Sequence, residues 1–316
     1  MISVIIVNYN NKESVLQCLR SLYADLGDMA AEVWVVDNAS SDDSVEGIQK
    51  NFPQVNIIEN GRNVGFGVAN NQAMRQARWK FFLLLNNDAF LRQGAIAAMV
   101  KYMSEHPKVG VVGPRLVYSD GRMQRSCWRF PSPLRAWLEA LGISAAFPNH
   151  PILGDYYRWP HDKERLVDFV IGACMLVRRK AYEEVGGFDE NIFMFSEETD
   201  WQRRIGDKGW QIAFVPSAEA VHLGGATMPY ETPKRMELSL RSLDYYMMKH
   251  HGVAGLISAR FAMAVGSSIR IIVGSLLMLA GKKRIGYLKL QLYMLLRQLT
   301  YWKTGTRHNR FLRVLE

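Results

Sequence analysis

The chain has 316 residues, 48% of them hydrophobic and 22% charged, which is the balance of a folded globular protein and excludes a disordered or collagen-like one. Its net charge of +9 is unevenly placed: residues 260–316 carry eleven basic side chains (Arg260, Arg270, Lys282, Lys283, Arg284, Lys289, Arg297, Lys303, Arg307, Arg310 and Arg313) against the single acid Glu316, so the first 259 residues are close to neutral. Three cysteines (Cys18, Cys127, Cys174) without a Cys-x-x-Cys pair argue against a disulfide framework or a cysteine zinc cage and fit a reducing compartment. The apolar opening, residues 1–8, is too short and lacks the basic flank of a secretory signal.

Up to residue 115, short β-branched runs alternate with helical patterns, the signature of a mostly parallel sheet covered by helices. Strands are predicted at 3–8 (SVIIVN), 33–37 (VWVVD), 55–58, 81–85 (FFLLL) and 109–112. Between them Val15, Leu16, Leu19 and Leu22, and then Phe66, Ala69, Ala73 and Ala77, recur at helical spacing. Residues 126–160, rich in proline and tryptophan, read as an irregular, partly helical insertion. A strand-like run follows at 168–178, then the acid-rich stretch 195–209, then two short strands at 211–215 and 220–222. Beyond residue 233 the pattern is one of long helices. The stretch 261–281 is broken by the single charge of Arg270, whose desolvation disfavours a clean membrane span. Ile285, Leu288, Leu292, Leu295 and Leu299 form an apolar stripe from which Lys289, Arg297 and Lys303 are set apart, the pattern of a helix lying in a membrane surface.

In such α/β sheets ligands bind beyond the carboxyl ends of the strands, where this chain places Asn8 and Tyr9, Asp37 and Asn38, and Asn86-Asn87-Asp88. Asp37 can cap the next helix or accept the hydrogen bond of a nucleobase imide. Asn86-Asn87-Asp88 closes the most apolar strand, either as a polar turn or as oxygen ligands for Mg²⁺ or Mn²⁺ bridging a diphosphate. Residues 62–71 (RNVGFGVANN) contain a Gly-x-Gly pair, but it follows the third strand, and Asn70 stands at the third glycine position, so a dinucleotide fingerprint is rejected. The glycine loop beside Arg62 still suits close approach to a nucleotide sugar. Glu197, Glu198 and Asp200 set three carboxylates within four residues, fitting either a general base with neighbours that raise its pKa or the acidic first turn of a helix. His222, alone, reads as a structural histidine.

Taken in order, SVIIVNYN, VVDNASSD, NVGFGVANNQA, LLLNNDA, IGACMLVRR, GGFDENIFMFSEETDWQRR and AVHLGG resemble the family 2 glycosyltransferases of the A-type nucleotide-sugar fold, and most of all the bacterial rhamnosyltransferase branch. The resemblance covers about residues 1–230. It implies an α/β catalytic domain over 1–235 with a mostly parallel central sheet, and the charge and helical pattern beyond it predict a helical, basic, membrane-associating region over 236–316. It further implies that Asn8, Tyr9 and Asp37 contact the base, that Arg62, Asn63 and Asn70 lie near the ribose or phosphates, with Asn87 a neutral contact, and that Asp88 and His222 hold Mg²⁺ or Mn²⁺. The family carries Asp-x-Asp where this chain has Asn86-Asn87-Asp88, a single carboxylate. The paired acids before a helix map onto Glu197 and Glu198, with Glu198 the expected base and Asp200 the alternative two residues on.

The implied reaction is a single inverting displacement from a nucleotide-sugar donor, first of all dTDP-rhamnose, with UDP-galactose, UDP-N-acetylglucosamine and UDP-galactofuranose as alternatives. The expected acceptor is a polyprenyl-diphosphate-linked saccharide of cell-surface polysaccharide assembly. The basic tail would hold the enzyme, peripherally or by one span, on the anionic cytoplasmic face of the plasma membrane. An inactive membrane scaffold is the reading that the single Asp88 leaves open. A nucleic-acid partner is not expected, since the apolar stripe would be wasted on phosphate.

Overall fold

A computed structural model describes residues 2–148, 150–156, 159–224, 233–279 and 285–300. Lys282, Lys283, Arg284, the basic residues past Thr300 and the glycine that ends the AVHLGG motif lie outside them. The strands are β1 (Ile2–Asn8), β2 (Ala31–Asp37), β3 (Asn56–Glu59), β4 (Phe81–Asn86), β5 (Ala89–Leu91), β6 (Val109–Val117), β7 (Met123–Gln124), β8 (Cys127–Trp128), β9 (Arg165–Val167), β10 (Phe169–Val170), β11 (Cys174–Arg178) and β12 (Gln211–His222). The helices are α1 (Lys12–Leu26), α2 (Ser44–Asn51), α3 (Phe66–Gln76), α4 (Ala95–Glu105), α5 (Pro133–Ala140), α6 (Ile143–Ala146), α7 (Arg179–Val185), α8 (Glu197–Asp207), α9 (Pro233–Leu279) and α10 (Ile285–Thr300).

The chain divides into two compact units, Met1–Phe130 with Tyr156–Ser242, and Pro131–Asp155 with Leu243–Glu316. In the first, the sheet runs β3-β2-β1-β4-β11-β6-β12-β5. Its first four strands are parallel, β11 is antiparallel to both its neighbours, β12 is parallel to β6, and β5 closes the edge antiparallel to β12. The side-chain period of two explains how one apolar strand serves two helical layers. Val4 and Ile6 of β1 face Leu19 and Leu22 of α1, while Ile5 joins Ala69 and Ala73 of α3 on the other side, all fully buried.

Three expectations change in detail. The run 168–178 is two strands, because the chain turns at Ile171, Gly172 and Ala173 between β10 and β11. The strands expected at 211–215 and 220–222 are one, β12, whose pairing with β6 slips between Val215 and Glu219. Residue 55 precedes β3, and β6 continues five residues past its expected end at Val112.

The second unit gathers the insertion and the C-terminal helices. Ser132 caps α5 by accepting the Arg135 N–H at 3.2 Å, with Pro133 in the first turn. Gly252 (φ 67°) interrupts α9, and Asp244 and Arg260, eight residues to either side of it, meet in a buried pair (Nη2 to Oδ2 2.7 Å, Nε to Oδ1 3.1 Å). Arg297 of α10 reaches the same carboxylate at 2.6 Å. Both arginines, counted in the sequence among surface cations, are therefore buried.

Candidate active site

The register of three neighbouring strands assembles the first half of the site. Asn8 lies opposite Asp37 across β1 and β2, and Val7 opposite Asn86 across β1 and β4, so three strand ends deliver their polar residues to one edge. The Asn8 amide donates to Asp37 Oδ2 at 3.0 Å and its oxygen accepts the Asn87 amide at 2.8 Å. Asp37 also accepts the Ser40 N–H at 2.7 Å and the Ser40 hydroxyl at 2.6 Å. Asn8 and Asp37 thus form a buried layer that fixes the loop 37–40, and the surface above it is Tyr9, Asn38 and Asn63. These three line one wall of a cavity of about 930 Å³.

The second half comes from the far edge. His222, the last residue of β12, pairs with Ala89 of β5, which sets its ring beside Asp88, and Leu223 N–H donates to the Asp88 carbonyl at 3.1 Å. The Asp88 Oδ1 to His222 Nε2 distance is 3.3 Å, and both side chains are nearly buried. His222 Nδ1 lies 2.8 Å from Gln124 Oε1. An amide oxygen only accepts, so Nδ1 donates to it and Nε2 faces the carboxylate. That facing pair is satisfied by a proton on Nε2 or by a cation between the two groups.

The donor set of one carboxylate, one imidazole and substrate oxygens fits Mg²⁺ or Mn²⁺, which takes few protein ligands and completes its shell with phosphates and water. Among the described residues no group of three or more His, Cys, Asp or Glu side chains comes together as a closed metal cage.

The acid cluster separates into two parts. Phe195 and Ser196 both have left-handed backbone (φ 67° and 65°), a strained pair of non-glycine residues directly ahead of α8. That entry presents Glu197 and Glu198 to the cavity, where Oε2 of each is buried without a hydrogen-bond partner among the described residues. Burial, reinforced by the neighbouring Glu198, holds the Glu197 carboxyl well above the usual carboxylate range. Burial also raises Glu198, opposed by backbone N–H groups that include that of Gly172 in the β10–β11 turn. Asp200, by contrast, is fully buried against Arg204 (2.9 Å), whose other donors reach the carbonyls of Val185 and Gly187 at 2.8 and 2.7 Å. It does not line the cavity.

Other expected residues also lie away from the cavity. Arg62 is exposed, and the Asn70 amide donates to the carbonyl of Phe66 one turn back at 2.9 Å. The glycine loop packs closely on protein at Gly65 (φ 90°), where a Cβ would stand 2.7 Å from the Phe193 carbonyl oxygen. What sequence reasoning missed is the β6–β7 hairpin, which brings Tyr118, Arg122, Gln124, Arg125 and, beyond it, Trp128 to the cavity. A two-residue strand carries no periodicity, so nothing in the sequence flags Gln124 as the partner of His222.

The fold and this site define a nucleotide-sugar transferase of the A-type architecture. The chain matches the glycosyl transferase family 2 model over residues 3–186 and belongs to that family. It is 28% identical over 260 residues to the N-acetylglucosaminyl-diphospho-decaprenol L-rhamnosyltransferase of Mycobacterium tuberculosis, covering 75% of this chain and 84% of the relative. It is 23% identical over 303 residues to the dTDP-rhamnosyl transferase RfbF of Shigella flexneri, covering 91% and 92%. Among solved structures, a mannosyltransferase from Pyrobaculum calidifontis, in complex with GDP-Man and Mn²⁺, superposes with a TM-score of 0.58 at 17% identity over 96% of this chain and 88% of that one. The motifs that suggested the family and the α/β fold in the sequence agree with both comparisons.

Proposed function

We propose that this glycosyltransferase moves L-rhamnose from dTDP-rhamnose, with inversion, onto a saccharide carried on a polyprenyl diphosphate at the cytoplasmic face of the membrane. The observation that carries the chemistry is the pair Glu197–Glu198, whose partnerless carboxylate oxygens line the cavity that Asp88 and His222 also line. The two rhamnosyltransferase relatives carry the choice of sugar, lipid-linked acceptor and nucleotide.

Glu198 accepts the proton of the acceptor hydroxyl as that oxygen attacks the anomeric carbon. Burial raises its affinity for that proton, and backbone N–H groups, that of Gly172 among them, oppose the rise. Glu197 beside it holds its proton more tightly than an ordinary carboxyl because of burial and the neighbouring Glu198, and in its acid form spares Glu198 a second negative charge and offers an O–H to a sugar hydroxyl. Tyr9, Asn38 and Asn63 receive the nucleotide, over the layer that Asn8, Asp37 and Asn87 keep rigid. Asp88 and His222 would hold Mg²⁺ or Mn²⁺, which would neutralise charge on the departing nucleoside diphosphate. Gln124 fixes the His222 ring with Nε2 toward Asp88.

The test is nucleoside diphosphate release from dTDP-rhamnose and from the three UDP-sugars, with a prenyl-diphosphate-linked N-acetylglucosamine as acceptor and NMR of the product. Release with dTDP-rhamnose alone, and an inverted anomeric centre, are expected. Turnover with a UDP-sugar, or a retained centre, would overturn the donor or the mechanism.

A further inference from the structure

One described helix, α9, is long and apolar enough to cross a membrane by composition, with a mean hydropathy of 1.8 in its most apolar window. Its internal geometry divides it. Gly252 breaks the helix at φ 67°, so the uninterrupted part is 253–279, about 40 Å at a rise of about 1.5 Å per residue. Helix α10 runs back along it: a Cβ on Gly274 would lie 2.9 Å from Tyr287 and Leu288 side-chain atoms, and Gln298 Nε2 stands 3.8 Å from Met263 Sδ.

We infer that the hairpin formed by 253–279 and α10 lies in the plane of an anionic membrane surface and does not cross the bilayer. This rests on the reading above that the protein works at a membrane. The first observation is that the apolar exposure is one-sided. Val253, Ile257, Phe261, Ile269, Ile272, Val273 and Leu276 are 60, 42, 60, 39, 63, 48 and 63% exposed, a broad apolar face that turns gradually around the helix, while Ala259, Gly266 and Ser267 are buried. On α10, Leu292, Leu296 and Leu299 continue an exposed stripe that begins with the exposed Lys289.

The second observation is what covers the buried flank. Helix α5 packs on the first half of 253–279, with Trp137 Nε1 donating to Ser258 Oγ at 3.1 Å and Ala140 against Gly266. Helix α5 carries Arg135 and the exposed Glu139, so a crossing of the bilayer by 253–279 would drag both charges into hydrocarbon. The residues joining the two helices in the sequence include Lys282, Lys283 and Arg284, cations that a crossing would have to translocate and that an in-plane hairpin presents to anionic headgroups.

The test uses the full chain with a Lys283→Cys substitution. The native Cys18, Cys127 and Cys174 are buried and free, so labelling reads the introduced thiol. Sedimentation with phosphatidylcholine vesicles, with and without phosphatidylglycerol, is expected to show binding that depends on the anionic lipid. A membrane-impermeant maleimide is expected to label the bound protein in intact vesicles. Exchanging Lys282, Lys283 and Arg284 for Glu should weaken binding about 100-fold, from about 1 kcal/mol per cation. A thiol protected until detergent opens the vesicles would overturn the in-plane placement and leave the membrane reading standing. Failure to pellet with either vesicle would overturn both. A Phe261→Glu, Leu276→Glu variant that changes the protein from dimer to monomer without losing vesicle binding would assign the stripe to a second copy of the chain, and so contradict the inference.

Discussion

Glu197 and Asp200 share one turn of α8 and face opposite demands. Asp200 is buried with a cation that satisfies it, and Glu197 is buried beside another carboxyl. A carboxyl raised in the folded state makes the protein less stable as pH climbs from the unfolded value toward the folded one, because the unfolded chain releases its proton first. Glu197→Gln should therefore melt higher than the wild type near neutral pH, by about 2–4 °C for each kcal/mol recovered, with the difference shrinking as pH falls toward 4.5. Melting curves across that range check it, and a difference independent of pH would contradict the protonated Glu197. Asp88→Asn keeps the shape of the Asp88–His222 pair and removes its charge. It should lower turnover by about 100-fold or more at every Mg²⁺ or Mn²⁺ concentration, and rescue by excess metal would show that this carboxylate is dispensable.

At the scale of elements, the approach to α8 is fixed by Gly65, which touches the Phe193 carbonyl just ahead of the strained Phe195–Ser196 pair. Gly65→Ala should cost about 1–3 kcal/mol of stability through its positive φ alone, and more if Phe193 is pushed back. Its turnover should also fall, since the same contact positions Glu197 and Glu198; a drop in stability with unchanged turnover would separate loop from site. In the second unit, Asp244→Ala leaves two buried guanidinium groups without their shared carboxylate and should cost about 3–5 kcal/mol, read as an early melting transition. Much of this was legible beforehand. Polar residues ending apolar strands announced Asn8, Asp37 and Asp88, and the acid run announced Glu197 and Glu198. The rest depends on contacts that no local pattern encodes. The Arg260 and Arg297 cations counted as surface charge until Gly252 folded the helix and Asp244 met both. Gln124 became a partner of His222 only through a strand of two residues. The loop glycines read as suited to a nucleotide sugar because close approach is what glycine permits, and the approach that Gly65 makes to Phe193 has no local signal in the sequence.

For the molecule as a whole, the described large apolar side chains that are exposed lie almost all in the second unit, with Leu166 and Leu223 the exceptions in the first. On the proposed reading, chemistry and membrane attachment fall to different parts of one chain. Transfer to a long-chain prenyl-linked acceptor in anionic vesicles should fall about tenfold in about 0.5 M salt, where charges are screened within a few ångströms, while transfer to a short-chain soluble acceptor should not. Equal salt sensitivity would place the effect in the active site. Glu198 is proposed to take the acceptor proton in a transfer from dTDP-rhamnose. The most direct test compares Glu198→Gln with the wild type for turnover and for donor dissociation constant in the same preparation. The account expects turnover to fall about 100-fold or more with donor affinity unchanged, and a Gln variant that turns over like the wild type, or that loses donor binding instead, would contradict it.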